Sequence, residues 1–412
     1  MSVSPGPNSA GNWLISPKLY DIMRFILLII AQVVPWYLFP GAAPKDTSKV
    51  PVPAAVEETV PALTIPQDPA PETAIPDTTA YVLDIPDVIN ITLALPFGAG
   101  DNGSVDFYCG ALMAARDLGD SGVKLNLNVL NTVSNQIGAG TFYTSDVIIG
   151  PISSSDLQKA LVFCPEGKSV ISPLDHKADS LVTFSHLVQT PTSADEQLRD
   201  LAAWAAEGLA FNENIVVVAE NGEDRSSDII TSELDRLRVP YSKVYGYQAL
   251  DACVRQGMHT KFITGSDKDI FEAGLVRSVS VLSLQKQSVS LYCPSKVKSV
   301  ENLNVELIHN ADTHFCTAYH IDYGSREVKD FVLAYRALFK TEPNSYSFHG
   351  YDTFRYFAGI CAKYGRDWFK KLEEYREEGL QTSFDFVFEG CGAVNLASRR
   401  IVYSPDYSIT QQ

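Results

Sequence analysis

Two stretches of this sequence hold residues spaced for chemistry. Gly98-Ala99-Gly100-Asp101-Asn102-Gly103 matches G-x-G-x-x-G between a β-like run and a helical one. In that pattern the glycines let backbone approach a dinucleotide pyrophosphate at a helix N-terminus. The plainer reading is a flexible loop at the mouth of a cleft. Asp101 would set a carboxylate beside the pyrophosphate, Pro96 and Phe97 delay the first glycine, and the strand near Asn131 offers no acid for a ribose. The second stretch, Gly150-Pro151-Ile152-Ser153-Ser154-Ser155-Asp156, gathers three hydroxyls and unpaired backbone N–H groups where a strand ends and a helix begins. Such a place attracts carboxylates and phosphates. A serine N-cap alone would use one of the three, so both readings stay open.

Nothing else has the spacing of a catalytic or metal centre. The chain lacks a G-x-S-x-G elbow, a Walker loop, H-E-x-x-H and an EF-hand loop. Of His176, His186, His259, His309, His314, His320 and His349, none shows metal-ligand spacing beyond His309 and His314, and a pair supplies too few ligands for zinc. Seven cysteines without a C-x-x-C read as buried small residues, with at least one free thiol and one disulfide left open. The expectation is a protein that is not an enzyme and uses no cofactor or metal. A net charge of -16 repels phosphate backbones and removes nucleic acid as a partner.

The elements that position these residues begin after Pro86. Short apolar runs alternate with helical ones: strand 89–95, helix 105–118, strand 124–130, strand 146–150, helix 153–164 and strand 169–173. Continuously apolar strands between helices imply a parallel sheet covered on both faces. Ser193 with Glu196 forms a capping box that opens a helix through Leu209, and the rhythm restarts with strand 214–219, helix 226–238, strands 242–247 and 260–264, helix 269–284 and strand 288–292. The fold class is α/β: two doubly wound parallel-sheet lobes with an inter-lobe cleft at the strands' carboxyl ends.

Residues 1–43 read as a signal or membrane-anchor segment. Phe25 to Phe39 is nearly all apolar, preceded by Lys18 and Arg24 and followed by small residues. Fifteen residues of helix span roughly 22 Å, which suits a signal core better than a full crossing. Either translation starts at Met23 or the segment is an uncleaved anchor. Residues 44–86, rich in proline, read as a spacer that cannot form a core. The folded body occupies 87–405, with one lobe at about 87–192 plus later crossover segments, the other at about 193–330, and a tail at 406–412. The location this implies is the cell envelope, on its periplasmic or extracytoplasmic face.

Phe331, Tyr335, Phe339, Pro343, Tyr351 and Asp352 lie in a segment similar to the closing region of type I periplasmic binding proteins of the branched-chain amino-acid class. The earlier IIGPISSSD and VISPL segments look like that family's serine loop and following strand. The resemblance covers about residues 88–405. It implies a non-enzymatic solute-binding protein that closes two lobes on a small polar ligand such as an amino acid, peptide or cell-wall fragment, with an ABC permease as partner. It implicates Ser153, Ser154, Ser155, Leu174 and His176 from one lobe, and Ser266 and Ser295 from the other. Lys296 stands near the place where relatives commonly hold an acid for the ligand ammonium. The alternative is an envelope scaffold or regulator with the same fold, contacting peptidoglycan-related proteins without a small ligand.

Overall fold

Hydrophobic alternation in the strands decides the architecture. In β1 (Ile89–Leu95), Ile89, Ile91, Leu93 and Leu95 all turn into one core, shared with the helices Asn102–Asp120, Arg326–Phe339 and Ser345–Tyr364. The strands β2 (Leu125–Asn131), β3 (Val147–Ile149), β4 (Val170–Ser172) and β5 (Leu187–Gln189) follow. Val147, Ile149, Ile171 and Val188 face the same core, while Ile148, Val170 and Leu187 face a second one under the helix Ser154–Phe163. Both faces of the sheet are therefore dry, as a parallel sheet requires. The computed structural model describes residues 83–98, 102–175 and 179–412. The apolar run 25–39, the spacer up to residue 82, the glycine-loop residues 99–101 and His176 lie outside them.

The second sheet repeats the pattern. In β6 (Glu213–Ala219), Val216 and Val218 pack towards the helix Asp269–Leu284, while Ile215 and Val217 pack towards the helices Ala194–Ala206 and Arg225–Arg236. It continues through β7 (Tyr241–Tyr245), β8 (His259–Ile263), β9 (Val289–Tyr292) and β10 (Thr313–Thr317). Ser193 caps its helix by accepting from the Glu196 N–H at 3.2 Å, but the reciprocal half of the expected box is not made, because the Glu196 carboxylate pairs with Arg199. The helix stops at Ala206, three residues short of the expected end.

The C-terminal region completes both sheets. A short hairpin of β11 (Glu377–Glu378) and β12 (Ser383–Phe384) leads into β13 (Phe386–Glu389) and β14 (Gly392–Asn395), then β15 (Arg399–Tyr403) and β16 (Ile409–Gln411). Among the described residues each sheet has seven strands, in the orders β13-β14-β5-β4-β3-β1-β2 and β16-β15-β10-β9-β8-β6-β7. Within these two sheets pairing is parallel except at β13/β14, β10/β15 and β15/β16. The chain thus passes between the sheets three times: after β5, after β10 and after β14. No described helix is long and apolar enough to cross a membrane.

Candidate functional site at the hinge

Loops following parallel strands collect at one end of each sheet, and these ends meet beside the three crossings. β4 delivers Leu174, β9 delivers Ser295, and the crossings deliver Pro191 and Thr192, then Thr317 to Tyr319. Together with Tyr346 and His349 from the start of the helix 345–364 they line a half-open cavity of about 470 Å³. That volume suits a small organic molecule.

The wall of this cavity is fixed by Asp352. Its Oδ1 accepts the Leu380 N–H at 2.7 Å, and its Oδ2 accepts those of Gln381 and Thr382 at 2.7 and 2.9 Å. Burial raises the carboxyl to about 6 in spite of these three donors. The same turn is tied to the second crossing, since the His320 N–H donates to the Gln381 carbonyl at 3.0 Å. It is tied to the third by Arg399, whose Nη2 donates to the Gly379 carbonyl at 2.5 Å and whose Nη1 donates to the His320 carbonyl at 2.9 Å. His349 is buried and neutral, its pKa drawn down to about 4 by desolvation; Nε2–H donates to the Pro173 carbonyl at 2.5 Å, and the Thr382 hydroxyl lies 3.2 Å from Nδ1. Gln381 lines the cavity from this turn.

Leu174 and Ser295, expected from opposite lobes, are brought to this one cavity. Ser266 lines an adjoining hollow of about 500 Å³ at the carboxyl ends of β6, β8 and β9, which Ser295 shares. Ser153, Ser154 and Ser155 stand exposed at the end of β3 and line neither hollow. Ser153 caps the helix 154–163 and lies 3.2 Å from the Ser155 hydroxyl, while Ser154 donates to the Asp175 carboxylate. The segments crossing at the hinge, rather than these three hydroxyls, form the wall of the inter-lobe cavity.

Sequence reasoning missed two polar groups here. Gln381 has no motif around it and gains its place only through long-range pairing. Glu272, in the first turn of the helix 269–284, is 1% exposed, and neither carboxylate oxygen has a hydrogen-bond partner. Burial raises it to about 8, with Lys296 lowering it and Asp267 and Asp269 raising it further. An acid at a helix start reads from sequence as a complement to the helix dipole. The signal available was its setting between apolar residues in IFEAGLV. Lys296 itself is engaged, by the Asp269 carboxylate at 2.9 Å and the Asp267 carbonyl at 2.6 Å. A larger groove of about 760 Å³ lies beside Gly379 and Leu380 of the same turn, but several of its charged side chains are paired, as in Arg355–Glu377 at 3.0 Å.

Comparison with solved structures agrees with this architecture. A protein described as a branched-chain amino acid ABC transporter from Rhodospirillum rubrum superposes with a TM-score of 0.56 at 15% identity, over 80% of this chain and 100% of that one. An ABC transporter substrate-binding protein from Desulfitobacterium hafniense gives 0.50 at 17%, over 79% and 100%. Full-length LpoA from Haemophilus influenzae gives 0.53 at 16%, over 80% of this chain and 60% of LpoA. The chain has the type I periplasmic binding protein fold. No protein-family profile and no curated sequence matches it.

Proposed function

We propose that this is a solute-binding protein of the cell envelope that closes its two lobes on a small polar ligand at the hinge and does not transform it. One observation carries the reading: Leu174 from one lobe, Ser295 from the other and the crossing segments line a single cavity, so a molecule held there stabilises the closed arrangement. The ligand class is an amino acid, a short peptide or a cell-wall fragment, delivered to an ABC permease. The apolar run 25–39 exports or tethers the protein, and residues 44–86 hold the body clear of the membrane.

Calorimetric screening of free amino acids, dipeptides and muropeptides against the folded protein tests this. Heat and a rise in melting temperature with at least one of them is the expected result. Flat thermograms throughout, with a stable protein partner recovered from solubilised envelope, would replace it with the scaffold reading.

A further inference from the structure

The group in the cavity wall that the fold itself does not use is the Gln381 side chain. Its residue is 4% exposed, it lines the cavity, and its Oε1 has no hydrogen-bond partner. Buried acceptors are almost always paired, because leaving one dry forfeits its hydration with nothing in return. The turn does not need this amide: the backbone N–H of Gln381 is taken by Asp352 at 2.7 Å and its carbonyl by the His320 N–H at 3.0 Å. Three neighbouring polar side chains of the cavity are already engaged. The Thr317 hydroxyl serves Tyr319 at 3.1 Å, the Gln197 amide donates to the Thr192 carbonyl at 3.0 Å, and His349 has a partner on each ring nitrogen.

We infer that Gln381 is a specificity-determining residue of the cleft, accepting a hydrogen bond from an N–H or O–H group of the bound molecule where that molecule faces the hinge. This rests on the reading of the cleft as a binding site and narrows what it takes. A molecule presenting an amide, ammonium or hydroxyl at that point pairs Oε1 and binds more tightly than one presenting only acceptors or apolar surface, which leaves it unpaired as it already is in the free protein. The position adds a second property. The turn carrying Gln381 is bonded to the second crossing through His320 and to the third through Arg399, so the contact is made on the segment about which the lobes must move.

The test titrates L-leucine and L-alanyl-L-alanine into the full-length protein and into Gln381→Leu, Gln381→Met and Gln381→Glu, with melting temperatures measured on each without probe. For whichever probe the unaltered protein binds, Leu and Met should weaken binding about tenfold or more, while Glu, which keeps an acceptor, should retain it. The unliganded Leu and Met variants should melt no lower than the unaltered protein, because they remove an unpaired polar atom; a packing role would lower melting and affinity together and Glu would not rescue it. Equal affinity across the four proteins, or parallel loss in all three variants with lowered melting, overturns the inference. No binding of either probe by the unaltered protein is a failure of the cleft reading, visible before any variant is made, and removes the inference with it.

Discussion

Gly110 and Gly350 let two helices of the first lobe touch backbone to backbone: a Cβ on Gly110 would stand 1.9 Å from the Ser347 carbonyl oxygen, and one on Gly350 would stand 2.0 Å from that of Phe107. This contact seats the helix 345–364, whose first turn brings Tyr346 and His349 to the cavity. Alanine at Gly350 forces the helices apart and should cost about 3 kcal/mol, the upper end of ordinary overpacking. Gly119, in the helix Asn102–Asp120, meets nothing within 4 Å, and alanine there should be neutral or stabilising by up to about 1 kcal/mol. Chemical denaturation of the two variants checks the contrast.

Glu272 gives the protein a defined pH dependence. Its carboxyl is raised from 4.5 to about 8, so the folded state holds the proton more tightly than the unfolded chain does. The stability tied to that proton is fully present below pH 4.5 and is lost as pH climbs through about 8. At about 1.4 kcal/mol per unit, the loss is about 5 kcal/mol at most. Glu272→Gln should therefore be more stable than the parent at pH 8.5 and equal to it at pH 4, in denaturation profiles recorded without ligand.

All seven cysteines are free thiols. Cys391 is exposed, whereas Cys293, Cys316 and Cys361 are buried, and burial pushes the Cys361 thiol up to about 12. A thiol reagent at neutral pH should label Cys391 first and leave these three untouched until denaturant is added. Early labelling of Cys361, followed by mass spectrometry, would contradict the packing around it.

Filling the cavity should matter more than removing the hydroxyls outside it. Leu174→Trp, which projects bulk into the 470 Å³ space, should abolish binding of any small solute. Ser155→Ala should leave affinity unchanged, and Ser153→Ala should cost about 1 kcal/mol of stability through its lost cap without altering affinity. Calorimetry and denaturation on the three variants separate these effects.

The doubled α/β rhythm was readable because runs such as DVIIG and NIVVVA are short, apolar and bounded by helices, and because the Ser193 cap is a local contact. The placement of Leu174 and Ser295 beside strand ends was legible for the same reason: each follows a strand whose end the fold class dictates. The turn at 379–382 was not. Its neighbours Asp352, His320 and Arg399 lie between 17 and 62 residues from its members, and strands of two to five residues such as β11 to β16 carry too little alternation to announce themselves. The role of the three serines is not legible in sequence because a hydroxyl at a helix start has the same appearance whether it caps or binds.

The triple passage of the chain has a consequence for biosynthesis. Neither sheet is built from an uninterrupted stretch: β14 pairs beside β5 across some 200 residues, and β15 beside β10 across roughly 85. An emerging polypeptide therefore cannot finish one lobe and then start the other, and a nascent chain stopped near residue 380 would carry two unsealed sheet edges at once. Premature termination late in the message should yield aggregation-prone product rather than a functional half.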